Sequence, residues 1–202
     1  MVRVLGCMYM ITKFDESTLN LFNSLIGQSA PVDFIFRFLS EWLVYLVPVA
    51  LLIAWFVKTK LPYYRESLLA MTFSGVVAWQ LLSRLIKVFY YRPRPAAAGF
   101  NVKEIFFHRP DQSFPSDHTA FLVALTTYAY LLGWRKVGHA LLATSVLVGL
   151  SRIVTATHWP TDILGGVVVG LTAAGLVWLL RDWLKKYLYK PLLKLAKLLK
   201  LA

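Results

Sequence analysis

Hydrophobic residues fall into long blocks along this chain, not into the alternating or one-sided patterns of a soluble domain. A helix needs ~20 mostly apolar residues to cross a bilayer, and five segments approach or exceed that length. The first runs from about Asp33 to Val57, with Trp42 to Val57 free of charge. The second runs from about Ser67 to Phe89 and the third from near His118 to near Trp134. The fourth runs from about Val137 to Thr157, and the fifth from about Thr161 to Leu180. The pattern predicts an all-α fold: a polytopic membrane helix bundle of about five transmembrane helices. One membrane-embedded domain is expected over residues 1–202, with its transmembrane core at 33–181.

Two flanking segments read differently. In residues 15–27, Asp15 or Ser17 could cap a helix start. Leu19, Phe22 and Ile26 then share one face, with Asn20 and Asn23 elsewhere. That suits either a helix lying in the membrane interface or a further, irregular packing element. Residues 182–202 carry Lys185, Lys186, Lys190, Lys194, Lys197 and Lys200 among leucines, with no acid after Asp182. This predicts a basic amphipathic tail on anionic lipid headgroups, broken in two at Pro191. The apolar run Met1–Thr12 is short and leads into Lys13, Asp15 and Glu16 without a cleavage pattern. The first span is therefore expected to act as the insertion signal.

Composition narrows the classes. Hydrophobic residues make up 58% of the chain, above the share of a soluble domain. The net charge of +12 fits nucleic acid or an anionic membrane. The hydrophobic blocks favour the membrane, so the expected partners are the bilayer and a membrane lipid, with no nucleic acid. The single cysteine, Cys7, excludes an internal disulfide and a cysteine zinc cluster, and reads as a small apolar residue.

Charge also sets an orientation. Lys58, Lys60 and Arg65, then Arg135 and Lys136, then Arg181 with the tail share one side of a five-span chain. The positive-inside rule places that side in the cytoplasm. The loop from about Tyr90 to Asp117 and the turn from Thr157 to Asp162 then face outward. Gly166 and Gly170 have the spacing that lets membrane helices approach closely.

Ionisable residues in or near spans are costly, and three outward clusters hold most of them. The first is Lys87 with Tyr90-Tyr91-Arg92-Pro93-Arg94-Pro95, whose Arg-Pro pairs stop the helix and keep the chain extended. By itself it reads equally as solvated or snorkelling cations. The second is Phe114-Pro115-Ser116-Asp117-His118-Thr119 at the start of the third span. A helix start suits an anion, although Ser116 and His118 could simply cap it. The third is Ser151-Arg152 followed by His158-Trp159-Pro160-Thr161-Asp162. A carboxylate beside a histidine can fix its tautomer, and arginine can fork onto phosphate. The alternative is a structural Arg152–Asp162 ion pair.

Bundling spans two to five brings all three clusters to one face. The combined set suits phosphoryl transfer through a covalent histidine intermediate. No metal or other cofactor is expected. Only His118, His158, Asp117 and Asp162 could be ligands, and three nearby cations would repel a divalent ion.

The three motifs, in order and spacing, resemble the signature of the type 2 phosphatidic acid phosphatase family. They are Lys87-x6-Arg94-Pro95, Pro115-Ser116-Asp117-His118 and Ser151-Arg152-x5-His158-x3-Asp162. Most of that family has glycine at the position of Asp117. The Pro-Ser-Asp-His form resembles bacterial undecaprenyl-diphosphate phosphatases of the bacitracin-resistance type. The resemblance implies a metal-independent membrane phosphatase acting on lipid phosphates or diphosphates, foremost undecaprenyl diphosphate. It implies His158 as nucleophile, Asp162 as its orienting group and His118 as acid and base. Lys87, Arg94, Ser116 and Arg152 would hold the phosphoryl oxygens, with Arg92 an alternative to Arg94. Asp117 is expected to orient His118 or to pair with an arginine. The implied location is the bacterial cell membrane, multi-pass, with the site on the extracytoplasmic face. An anionic-lipid or anion transporter, with the cations lining a path, is the competing class. His108 and His139 match no role.

Overall fold

Helix capping explains where the first element begins. In the computed structural model, which describes residues 12–57, 63–105 and 112–201, Thr12 precedes helix α1 (Lys13–Asn23). Its hydroxyl accepts from the Asp15 N–H at 3.1 Å, and the Asp15 carboxylate accepts from the Thr12 N–H at 3.3 Å. This reciprocal cap makes Thr12 the start of the helix, in place of Asp15 or Ser17. Leu19 is buried on its inner face, and Ile26 is buried in the turn that follows. Asn23 joins them, because its amide donates to the Lys103 carbonyl at 3.0 Å and the Val154 carbonyl at 2.9 Å. Cys7, Lys58, Lys60 and His108 lie outside the described residues.

Among the described residues, four helices are long and apolar enough to cross a membrane: α2 (Ala30–Phe56), α3 (Tyr64–Phe89), α5 (Arg135–Val154) and α6 (Pro160–Leu179). The expected third span is a shorter helix, α4 (Asp117–Leu131), of 15 residues. At 1.5 Å per residue it reaches about 22 Å, less than the ~30 Å hydrocarbon core. Its buried positions, among them Ala120, Leu122, Ala124 and Leu125, lie all around the helix. A helix that is apolar all round is a buried one, and α4 packs against α3, α5 and α6. No strand forms among the described residues, only an isolated bridge between Pro93 and Gln112.

Small residues set the α4–α6 spacing. A Cβ on Gly166 would sit 2.8 Å from the Ser116 carbonyl, and one on Gly170 would sit 2.7 Å from the Ala120 carbonyl. Gly170→Leu is therefore expected to cost about 1–3 kcal/mol, because the α4 backbone must move away. A lowered melting midpoint in detergent checks this.

The tail forms α7, residues 181–198, and it continues through Pro191. A wide π turn over Lys185–Tyr189 precedes the proline, with the Lys190 N–H bonded back to the Lys185 carbonyl. That wider turn makes room for the proline ring without a break. Leu184 and Tyr189 are buried, Tyr189 sits edge-on to Phe73, and Lys185 pairs with Glu66 at 2.9 Å. The tail is thus anchored on the first turns of α3. A second π turn, Phe38–Trp42 in α2, carries Ser40 to the C-terminal end of α5. The starts of α4 and α6 and the ends of α3 and α5 meet at one end of the bundle, and α1 rests there on α5 and α6.

Candidate active site

Helix ends supply the polar atoms of this site, since their terminal backbone groups have no partner within the helix. Ser116 immediately precedes α4 with an extended backbone and is fully buried. Its N–H donates to the Asp162 carbonyl at 3.1 Å, and its hydroxyl accepts from Thr119 at 3.1 Å. The first bond stitches the start of α4 to the start of α6. His118 follows, half-buried, in the wall of a cavity of about 240 Å³ with Asp117, Tyr45, Pro48, Trp79 and Phe121.

Asp117 meets Lys87 at 2.6 Å, with both side chains partly exposed. Its partner is a lysine, not the expected arginine, because the end of α3 lies beside the start of α4. The acid is thus compensated before any anion binds.

The two Arg-Pro arginines occupy different places. Arg92 is almost fully buried. It donates to Asp162 at 2.6 Å and Thr161 at 2.7 Å through Nη1, and to Asp15 at 2.6 Å through Nη2. Its guanidinium also lies 5.5 Å from the Trp159 ring. Arg94, also buried, donates to the Thr157 carbonyl in the turn that carries His158. The extended backbone between them is tied down by the Trp159 indole, which donates to the Pro93 carbonyl at 2.9 Å.

His158 is 2% exposed, and its Nδ1 lies 3.5 Å from the Asp162 carboxylate. That carboxylate is held by the Trp159 N–H at 2.8 Å and by Arg92. Asp162 therefore has its ion pair with Arg92, where the sequence suggested Arg152. Arg152, 3% exposed in the last turn of α5, donates to the Ser40 carbonyl at 2.9 Å. Burial pushes the His158 ring well below the ordinary imidazole pKa of 6.5, and the charges of Arg94, Arg152 and Lys87 push it the same way.

A depressed pKa keeps the ring neutral, with its lone pair available, at pH values where a free imidazole is protonated. The acid limb of kcat/KM set by His158 is therefore expected below pH 6.5. A limb centred above 6.5 in a pH–rate profile would contradict this environment.

His139 bonds the Tyr130 hydroxyl at 2.8 Å near the other end of the bundle, away from the site. Asp15 and Thr161 were not singled out for the site from the sequence. Asp15 stood there only as a helix cap, and no local spacing links it to Thr161, 146 residues on.

The chain belongs to the PAP2 superfamily, whose model matches residues 63–186, and is a membrane protein of its lipid phosphatase branch. It is 32% identical over 166 residues to undecaprenyl-diphosphatase BcrC of Bacillus subtilis (strain 168), covering 82% of this chain and 83% of that protein. It is 26% identical over 176 residues to the putative undecaprenyl-diphosphatase YbjG of Escherichia coli (strain K12), covering 84% and 85%. The fold matches the crystal structure of Aquifex aeolicus LpxE with a TM-score of 0.66, at 23% identity over 81% of this chain and 93% of that one.

Proposed function

We propose that this protein removes the terminal phosphate of a lipid diphosphate, foremost undecaprenyl diphosphate, through a phosphohistidine on His158. The observation that carries this reading is the placement of His158: it is 2% exposed, its Nδ1 lies 3.5 Å from the Asp162 carboxylate, and Arg94 donates into the turn that carries it. The Nε2 lone pair attacks the terminal phosphorus as its bond to the bridging oxygen breaks. His118 gives that oxygen its proton, so the lipid monophosphate leaves. Water then attacks the phosphorus, His118 takes up the water's proton, the P–N bond breaks and inorganic phosphate is released.

Lys87, Arg94, Arg152 and Ser116 hold the phosphoryl oxygens, and burial of Arg94 and Arg152 strengthens their effect. Asp117 sets the position of Lys87. The apolar cavity beside His118 supports a lipid tail lying among α2, α3 and α4. The product would return to use as a carrier for cell-wall precursors. The basic tail and Arg135–Lys136 lie at the end opposite the site, which supports an extracytoplasmic active site in the bacterial cell membrane.

The test is phosphate release from a panel: undecaprenyl diphosphate, phosphatidylglycerophosphate, lipid A and phosphatidic acid. Undecaprenyl diphosphate is expected to give the highest kcat/KM, with inhibition by vanadate and none by EDTA. A strict magnesium or calcium requirement would sink the mechanism. Lipid transport without hydrolysis would favour a transporter instead.

A further inference from the structure

The most enclosed charge cluster of the described residues lies behind His158. Asp15 belongs to the outermost helix, yet it is fully buried. Its Oδ1 accepts from the Thr161 N–H at 2.9 Å and from the Thr161 hydroxyl at 2.8 Å, and its Oδ2 takes Arg92 Nη2 at 2.6 Å. Arg92 Nη1 meets Asp162 Oδ1 at 2.6 Å, and Asp162 Oδ2 faces His158 Nδ1 at 3.5 Å. Four side chains thus form one line from α1 to the histidine.

The charge balance of this line matters. Two carboxylates share one guanidinium, so Arg92 neutralises neither fully. Asp162 keeps negative charge to direct at His158 when the ring becomes a phosphorylated cation. With Asp15 neutral, Arg92 would pair with Asp162 alone and draw its carboxylate from the ring. Asp15 also caps α1 through Thr12, but capping requires no contact with Arg92, and Leu19 and Asn23 already hold this helix against the bundle. A buried carboxylate is costly unless its partners are well placed.

We propose that Asp15 is a positioning residue for phosphoryl transfer, holding Arg92 so that Arg92 sets Asp162 against His158. This rests on the reading of His158 as nucleophile. It makes α1 part of the catalytic unit and gives Arg92 a role distinct from phosphate binding.

The experiment measures kcat and KM of the full-length protein in detergent, with farnesyl diphosphate as a short-chain probe. Asp15→Asn is expected to lower kcat roughly ten- to a hundredfold, the rate equivalent of one charge-assisted hydrogen bond. KM should stay within about twofold, since the phosphate contacts remain. Asp15→Glu, which keeps the charge, should recover much of the loss. In an Arg92→Lys background, Asp15→Asn should add little, because lysine cannot bridge both acids and the route is already broken. If Asp15→Asn cannot be obtained folded, Thr161→Val serves, removing the hydroxyl that holds Asp15 and Arg92. It should lower kcat in the same way.

Unchanged kcat per folded molecule in these variants overturns the inference, as do independent, multiplying effects of Asp15 and Arg92. An active wild type with an unaffected Asp15→Asn variant leaves the proposed function standing and removes only the role of Asp15. A wild type inactive on every lipid phosphate removes both.

Discussion

His158→Ala is expected to lower phosphate release by roughly 10⁴- to 10⁶-fold, the scale of losing a covalent nucleophile. Alanine leaves the phosphate cations in place, so binding of the lipid diphosphate should survive far better than turnover. The ring is 2% exposed, and its removal opens a cavity. A melting curve must therefore accompany the rate. The intermediate gives an independent measurement. Wild type stopped during turnover of terminally labelled substrate should carry label that is released in acid and retained in alkali. His158→Ala should carry none. Equal labelling of both proteins would place the covalent step elsewhere.

The second large effect separates the two arginines. Arg92→Ala leaves Asp15 and Asp162 buried close together without their shared cation. Removing one partner from a buried ion pair costs about 3–5 kcal/mol. Arg92→Ala should therefore lower folded yield and melting midpoint sharply, with activity falling as a consequence. Arg94→Ala should instead fold with a smaller loss of stability and lose about 10²- to 10³-fold in kcat, as when a transition-state donor is removed. The reverse pattern, a stable Arg92→Ala and an unfolded Arg94→Ala, would exchange the places assigned to the two residues.

Much of this site was legible because its motifs are local. Ser116 with His118, and Arg152 with His158 and Asp162, lie within one or two helical turns of each other or across one turn of chain. Spacing alone therefore fixes which end of the bundle they share. Lys87 and Arg94 could be added because they flank the end of a hydrophobic block. What could not be read was the pairing among charges. Arg92 and Arg94 both precede proline and have the same local pattern, and only the fold of residues 90–100 turns one towards Asp15 and the other towards the His158 turn. Asp117 finds Lys87 for the same reason, 30 residues away.

The sequence by itself determined that the protein is helical and membrane-spanning, and which residues could meet at one end. Hydrophobic block length and a 3.6-residue period are local properties, and they survive without tertiary information. Tertiary structure decided the rest. It showed that α4 is the short central helix of the bundle, packed against α3, α5 and α6, because burial against protein and burial in lipid select the same apolar residues. It also brought Asp15 from the first helix to Arg92 and Asp162. Charge pairing depends on distances of a few ångströms between segments far apart in the chain, and those distances exist only once the helices have packed.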